Sequence, residues 1–143
     1  MINILLSVRQ PFSGFILDGQ KPLELRKNKP NTGTDTNIVL WLYESGKYGA
    51  RAIIGKCRYF GHIEVWGTTP DMAVEWASIQ AHVDKNELVK YVPCFAWLVG
   101  KPVRLPAAVP LSAIGMTRPP QSWQYLTDEQ AGILERRRNE SRA

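Results

Sequence analysis

The residues best suited to chemistry form a short charged series near the N-terminus. Lys21, Glu24 and Arg26 follow one another within a few positions. Lysine and arginine bind anions such as phosphate, and a glutamate can accept protons or hydrogen bonds from a ligand. The series therefore suits either the binding of a phosphorylated ligand or acid–base work in a hydrolase.

A predicted strand, residues 23–27, presents two of these side chains on one face. Two leucines alternate with Glu24 and Arg26, the period-two pattern of a half-buried strand. Residues two apart on a strand lie roughly 7 Å from each other, so both can contact one ligand, and Lys21 can lean over the same surface. The pattern equally allows a solvated ion pair contributing about 0–1 kcal/mol to stability. Replacing Lys21 or Glu24 by alanine is expected to leave the fold intact and to abolish ligand binding or turnover, because a solvated pair contributes little to stability.

The segment before this strand predicts another strand and a short helix. Residues 2–8 are an apolar run of strand length, and Pro11 favours the first turn of a helix. Apolar residues then recur at helical spacing, and Gly19 suits the left-handed position that ends a helix. The polar residues at the junction are Ser7, Arg9 and Gln10.

The motif Gly19-x-Lys21-x-x-Glu24-x-Arg26 resembles the signature of the ASCH family. Members are small β-barrel domains similar to the PUA domains that bind RNA. Residues 6–15 (LSVRQPFSGF) resemble the opening of several ASCH proteins, residues 95–97 (FAW) resemble the start of their late strands, and residues 118–126 (RPPQSWQYL) resemble a closing motif of a prokaryotic and phage branch. The resemblance spans residues 4–126.

The resemblance implies an α+β, mainly β fold, a PUA-like mixed β-barrel with peripheral helices. It implies an ASCH domain over residues 1–126 and a C-terminal helix with a basic tail over residues 127–143. It implies RNA, a nucleotide or a nucleoside as partner and no cofactor, except a divalent metal for a ribonuclease. The catalytic candidates are Lys21 and Glu24, and the binding candidates are Ser7, Arg9, Gln10, Arg26, Lys27, Ser122 and Trp123.

Two function classes stay open. As a binding module, the protein holds phosphates with its basic residues while a tryptophan stacks on an unpaired base. The tryptophans considered are Trp41, Trp97 and Trp123. As a hydrolase, it resembles ASCH proteins that remove an acetyl group from cytidine or cleave RNA with a metal. The amidohydrolase pattern has the signature lysine, a threonine three residues later and a distant glutamate.

This chain departs from the amidohydrolase pattern at the threonine. Lys21 matches the lysine, but Glu24 occupies the threonine position, so the nucleophile of that branch is missing. The candidates for the distant acid are Glu64, Glu75 and Glu87. A hydrolase of this sequence would use Lys21 to polarise the substrate and Glu24 to activate water.

The charge of the 143-residue chain is unevenly distributed. Residues 1–60 contain nine Lys/Arg and four Asp/Glu, residues 61–99 two and five, and residues 100–143 seven and four. Two basic ends that come together would make a positive face suited to phosphates. Cys57 and Cys94 are predicted as buried thiols, and no cysteine–histidine cluster predicts a zinc site. The absence of signal-peptide and membrane-spanning patterns predicts a cytoplasmic protein.

The rest of the chain predicts further strands and an acidic helical insert. Strands are expected over residues 37–43, 52–65, 94–99 and 103–109, with a bulge at Gly55 and an exposed loop over residues 28–36. Helices are expected after residue 69, over residues 84–91 and over residues 129–138. The first two should cover the barrel away from phosphate. The helix after residue 69 is predicted to have Thr69 as N-cap and a buried stripe of Met72, Trp76 and Ile79.

Overall fold

The protein is described over residues 1–33 and 37–140 by a computed structural model. The loop predicted over residues 28–36 and the tail predicted over residues 127–143 lie partly outside these residues. The strands are β1 (Ile2–Arg9), β2 (Leu23–Arg26), β3 (Ile38–Ser45), β4 (Ile53–Val65), β5 (Cys94–Val109) and β6 (Trp123–Leu126). The helices are α1 (Phe12–Leu17), α2 (Asp71–Ala81), α3 (Lys85–Tyr91) and α4 (Asp128–Asn139), with a 3-10 turn at Leu111–Ile114.

The strands form one mixed sheet in the order β2-β5-β4-β3-β1-β6. β1 and β3 are parallel, and the other neighbours are antiparallel. The mainly β, mixed architecture agrees with the sequence prediction. In the described part of the chain no backbone ladder joins β2 to β6. The sheet is therefore not closed, and the predicted barrel is not confirmed.

The centre of the sheet is buried on both faces because β1 and β3 are almost wholly apolar. On one face, Ile4, Leu6 and Leu40 pack with side chains of α1. On the other, Leu5 and Trp41 pack with Leu134 of α4. This arrangement follows from the period of two residues in a strand, which sends neighbouring side chains to opposite faces.

Gly55 lies where β4 breaks register with both neighbours, as the sequence predicted. A Cβ at this position would lie 2.6 Å from the Leu17 side chain and 2.8 Å from the Val103 carbonyl oxygen. The absence of a side chain therefore allows α1 and β5 to approach β4 closely.

The predicted orientation of α2 is wrong. Met72, Trp76 and Ile79 are exposed at 84%, 47% and 64%. The buried residues are instead Val74, Ala77, Ser78 and Ala81. These smaller residues also recur at helical spacing, and they let the helix lie close to the core cluster that it covers.

The predicted N-cap of α2 is also wrong. Pro70 is the N-cap, and the Thr69 hydroxyl instead accepts a hydrogen bond from the Trp66 backbone amide at 2.8 Å. In α3 the N-cap is Asp84, whose carboxylate accepts a hydrogen bond from the Asn86 backbone amide.

Two other segments differ from their predicted extents. The segments 94–99 and 103–109 belong to the single strand β5. α4 begins at Asp128, and a capping box between Thr127 and Gln130 caps its N-terminus. No described helix is long and apolar enough to cross a membrane.

Candidate ligand-binding site

Lys21, Glu24 and Arg26 form a buried line of charges at the edge strand β2. Lys21 Nζ lies 3.2 Å from Glu24 Oε1, and an Arg26 terminal nitrogen lies 2.6 Å from Glu24 Oε2. The side chains of Lys21 and Glu24 are only 1% and 7% exposed. The sequence correctly predicted that these three side chains share one surface. The alternative prediction of a solvated ion pair is wrong, because other elements of the protein cover these charges.

Lys21 is held by backbone carbonyls as well as by Glu24. Its ammonium donates to the Leu23 carbonyl oxygen at 2.5 Å and to the Ala81 carbonyl oxygen at 2.7 Å. A lysine ammonium has three donors, so all three have acceptors here. The side chain thereby ties β2 to the end of α2, where the carbonyls of the last turn lack helical partners.

Arg26 joins the two edges of the sheet by its side chain. Its guanidinium donates to the Ser7 carbonyl oxygen at 2.7 Å on β1 and to the Ser122 hydroxyl at 3.1 Å beside β6. The Ser7 hydroxyl donates to the Pro120 carbonyl oxygen at 2.7 Å. The 118–126 segment is thus fastened to the signature motif, and Ser7, Arg26 and Ser122 belong to one network.

The pKa values of the central pair follow from burial and neighbouring charge. Burial alone would raise the pKa of Glu24, but Arg26 and Lys21 outweigh burial and hold this pKa below its ordinary range. Burial lowers the pKa of Lys21 despite the opposing effect of Glu24. Glu24 is therefore a firmly ionised carboxylate and a weak base.

A cleft of about 590 Å³ opens above this line of charges. Its floor is made by Ser7, Lys21, Glu24 and Arg26, and its remaining lining is largely apolar. The other lining residues are Val8, Arg9, Phe12, Leu25, Ser45, Val83, Glu87, Tyr91, Pro119, Pro120 and Gln121. A volume of this size and an apolar lining with few polar groups are typical of small-molecule sites.

Arg9 is the cation of this cleft that remains available. It is exposed at the end of β1, and its guanidinium has no hydrogen-bond or ion-pair partner among the described residues. Glu87 of α3 brings the one carboxylate among the lining residues besides Glu24. Of the three glutamates considered as distant acids, Glu87 is thus the one that lines the cleft, whereas Glu64 accepts from the Trp66 indole at 3.0 Å.

Four predicted binding residues do not line the cleft, namely Gln10, Lys27, Ser122 and Trp123. Gln10 donates to the Glu44 carboxylate at 3.2 Å. Lys27 donates to the carbonyl oxygens of Tyr91 and Pro93 and lies over the Tyr91 ring, so it fastens the end of α3.

The three tryptophans considered for base stacking pack against other residues of the protein. Trp123 packs edge-on against Trp97, with ring centroids 5.6 Å apart. Trp41 and Trp97 are fully buried, so their rings are core residues that no base can reach.

Sequence reasoning missed the aromatic and aliphatic walls. Val83, Glu87 and Tyr91 come from the α2–α3 insert, which was expected to cover the barrel away from phosphate. These residues form one wall of the cleft, so the insert contributes to the site as well as covering the sheet. Phe12 forms part of another wall, and the Lys21 ammonium lies 5.5 Å from the centre of its ring. Phe12 could have been found from the sequence, because it lies in the segment that precedes the signature motif. No sequence pattern pointed to Tyr91.

The thiols and the acidic residues offer no reactive or metal centre in the described ranges. Burial raises the pKa of Cys57 to about 12, and burial also raises the pKa of Cys94. No group of three or more His, Cys, Asp or Glu side chains in residues 1–33 and 37–140 is placed to hold a metal ion.

The chain has the ASCH fold. The sequence motifs predicted this fold, and comparison with solved structures supports it. The ASCH protein of Zymomonas mobilis superimposes with a TM-score of 0.77 at 17% identity, covering 94% of each chain. A mutant of that protein gives the same TM-score at 16% identity. A protein from Rhodopseudomonas palustris superimposes with a TM-score of 0.53 at 15% identity over 98% of this chain and 94% of that one. No protein-family model and no curated protein matches the sequence.

Proposed function

We propose that this ASCH-fold protein binds a nucleotide, free or within RNA, and acts in cytoplasmic RNA metabolism or regulation. The observation that carries the proposal is the ionised Glu24 carboxylate held between two cations at the floor of an apolar-walled cleft. Such a floor is rigid, because its charges are paired before any ligand arrives. A nucleotide has the matching parts: a flat base, polar base edges and a phosphate.

Glu24 is proposed to read the base. A carboxylate offers about four acceptor positions, and Lys21 and Arg26 occupy two of them. The remaining positions can accept from an exocyclic amino group, as acidic side chains do with cytosine. Phe12 and Tyr91 supply aromatic surface along the cleft for the face of the base.

Arg9 is proposed to hold the phosphate. Arg26 was one of the basic residues expected to bind the ligand, but its guanidinium already donates to Glu24, Ser7 and Ser122. Turning it toward a ligand would break buried hydrogen bonds to charged groups, each contributing about 1.5–3 kcal/mol. The unpaired guanidinium of Arg9 can bind a phosphate without breaking such hydrogen bonds.

The site favours binding over the alternative, a hydrolase acting on acetylated cytidine or RNA. A general base functions best with a pKa near the working pH, and the pKa of Glu24 lies below its ordinary range. Lys21 has the lowered pKa expected of a catalytic amine, but its three donors are already bonded. Neither of the two catalytic candidates is thus poised for the step assigned to it.

Calorimetric titration with four small ligands tests the proposal. We expect cytidine monophosphate to bind more tightly than uridine monophosphate, which lacks the amino group, and more tightly than cytidine, which lacks the phosphate. Arg9→Ala should remove the preference for the phosphorylated ligand, whereas Arg137→Ala on α4 should keep it. Acetylated cytidine is followed by chromatography in the same experiment. Absence of binding by all four ligands overturns the proposal, and release of acetate selects the hydrolase.

A further inference from the structure

We propose that the ligand is a single strand of two or more nucleotides, and that a second hollow beside the cleft binds the neighbouring nucleotide. This inference rests on the proposed nucleotide site and adds to it a subsite built from Arg9, Lys47 and Tyr48. The hollow measures about 470 Å³ and lies between the end of β1 and the turn that joins β3 to β4.

The two concave surfaces are continuous. Arg9 and Ser45 line both the cleft and the hollow. A ligand that extends from the cleft past Arg9 therefore reaches the hollow directly. A mononucleotide fills only one of the two, whereas the backbone of a short strand can follow both.

The hollow is shaped in advance by a buried carboxylate. Glu44 accepts from the Ser13 hydroxyl at 2.7 Å, the Gln10 amide at 3.2 Å and the Ala50 backbone amide at 2.8 Å. Its residue is only 7% exposed, so its charge is directed inward. These bonds hold the turn after β3 against the start of α1.

The turn itself is tightly wound. The Gly49 amide donates to the Gly46 carbonyl oxygen at 3.2 Å, and a Cβ on Gly49 would lie 2.3 Å from the Ser45 carbonyl oxygen. No residue other than glycine fits position 49 without a change of backbone. A loop fixed in this way loses little conformational freedom when a ligand binds.

The side chains that face the hollow have the chemistry of a single-strand subsite. Tyr48 is 81% exposed, and the Lys47 ammonium lies 5.6 Å from the centre of its ring. Aromatic rings stack on bases of any sequence, and neighbouring cations follow the phosphate backbone. Arg9 lines both the cleft and the hollow, so it is placed to contact the phosphate that links one nucleotide to the next.

The test compares adenosine monophosphate with the dinucleotide pApA and the tetranucleotide, in ribose and deoxyribose forms, by calorimetry. We expect pApA to bind about 5- to 100-fold more tightly than the mononucleotide, the range for one stacked base. Tyr48→Ala should remove this gain and leave mononucleotide affinity unchanged. Tyr48→Phe should keep the gain. Trp76 is another exposed aromatic residue, 47% exposed on α2, and Trp76→Ala should change neither affinity.

The outcomes separate the two proposals. If the mononucleotide binds but pApA binds no more tightly, or if Tyr48→Ala weakens both equally, the second subsite is refuted and the cleft stands. If neither ligand binds, the second subsite is refuted, and the titration with cytidine monophosphate decides whether the cleft binds a nucleotide. Equal gains for ribose and deoxyribose forms assign the strand to nucleic acid in general, and a gain for ribose alone assigns it to RNA.

Discussion

Lys21 Nζ and Glu24 Oε1 lie 3.2 Å apart, with both side chains more than nine-tenths hidden from solvent. Exposed ion pairs contribute about 0–1 kcal/mol, but removing one partner of a buried pair is destabilising by about 3–5 kcal/mol. The difference arises because the remaining charge stays buried without its partner. The signature motif is therefore part of the stabilising framework as well as the floor of a site.

Lys21→Met is expected to lower the free energy of unfolding by about 3–5 kcal/mol. The change leaves Glu24 and two carbonyl oxygens without the ammonium that they now share. Chemical denaturation at neutral pH measures the loss. Lys85→Met is the matched control, since Lys85 pairs with Asp71 at the surface, and its effect on stability should be much smaller. Equal effects of the two substitutions would show that burial adds nothing.

Glu24 predicts a loss of stability in acid. Its pKa in the folded protein is held below the ordinary value of 4.5 by Arg26 and Lys21, which outweigh the effect of burial. The folded state therefore favours the ionised form, so this contribution is complete above pH 4.5 and declines as the pH falls through the lowered value. Unfolding curves of the wild type and Glu24→Gln should converge as the pH falls. A difference that stays constant from pH 7 to pH 3 contradicts the prediction.

Arg9 predicts a change in the salt dependence of RNA binding. Each phosphate contact releases counterions, so Arg9→Ala should reduce the slope of log affinity against log salt by about one unit. Arg26→Lys should instead lower thermal stability, because one ammonium cannot replace a guanidinium that reaches Glu24, Ser7 and Ser122. Titrations of a short single-stranded RNA at several salt concentrations measure the slope. An unchanged slope for Arg9→Ala would exclude its phosphate contact.

Two glycines predict opposite responses to alanine. Gly55→Ala places a methyl group 2.6 Å from the Leu17 side chain and 2.8 Å from a carbonyl oxygen, so we expect destabilisation of about 1–3 kcal/mol or more. Gly14 lies inside α1 with nothing within 4 Å of the added atom. Gly14→Ala should therefore raise stability by about 0.4–1 kcal/mol. Thermal melts of the two variants measure both changes, and a shift in the same direction would contradict this account.

The sequence predicted the elements whose patterns are local. β1 and β3 were recognisable as apolar runs, and the signature strand as an alternation. The face of α2 was not predicted correctly, because its large apolar residues and its small ones both recur at helical spacing. Only the packing partner decides between them, and the close approach to the core selects Val74, Ala77 and Ala81.

The candidate site was predictable only in part, for a similar reason. Lys21, Glu24 and Arg26 are neighbours in sequence, so their common surface followed from strand geometry. Their burial depends on Ala81 and Ser122, which lie 60 and 96 positions away from their partners. Such long-range bonds leave no local pattern, and the same holds for the wall contributed by Tyr91.

The pairing of β1 with β6 has a consequence for biosynthesis. β1 leaves the ribosome before the other strands of this sheet, and its partner on one side comes from residues 123–126. Until those residues are made, an apolar strand keeps one row of backbone donors and acceptors open, which is a template for aggregation between nascent chains. A protein shortened before residue 123 would keep that edge permanently, so its yield in soluble form should fall even though every residue of the signature motif is present.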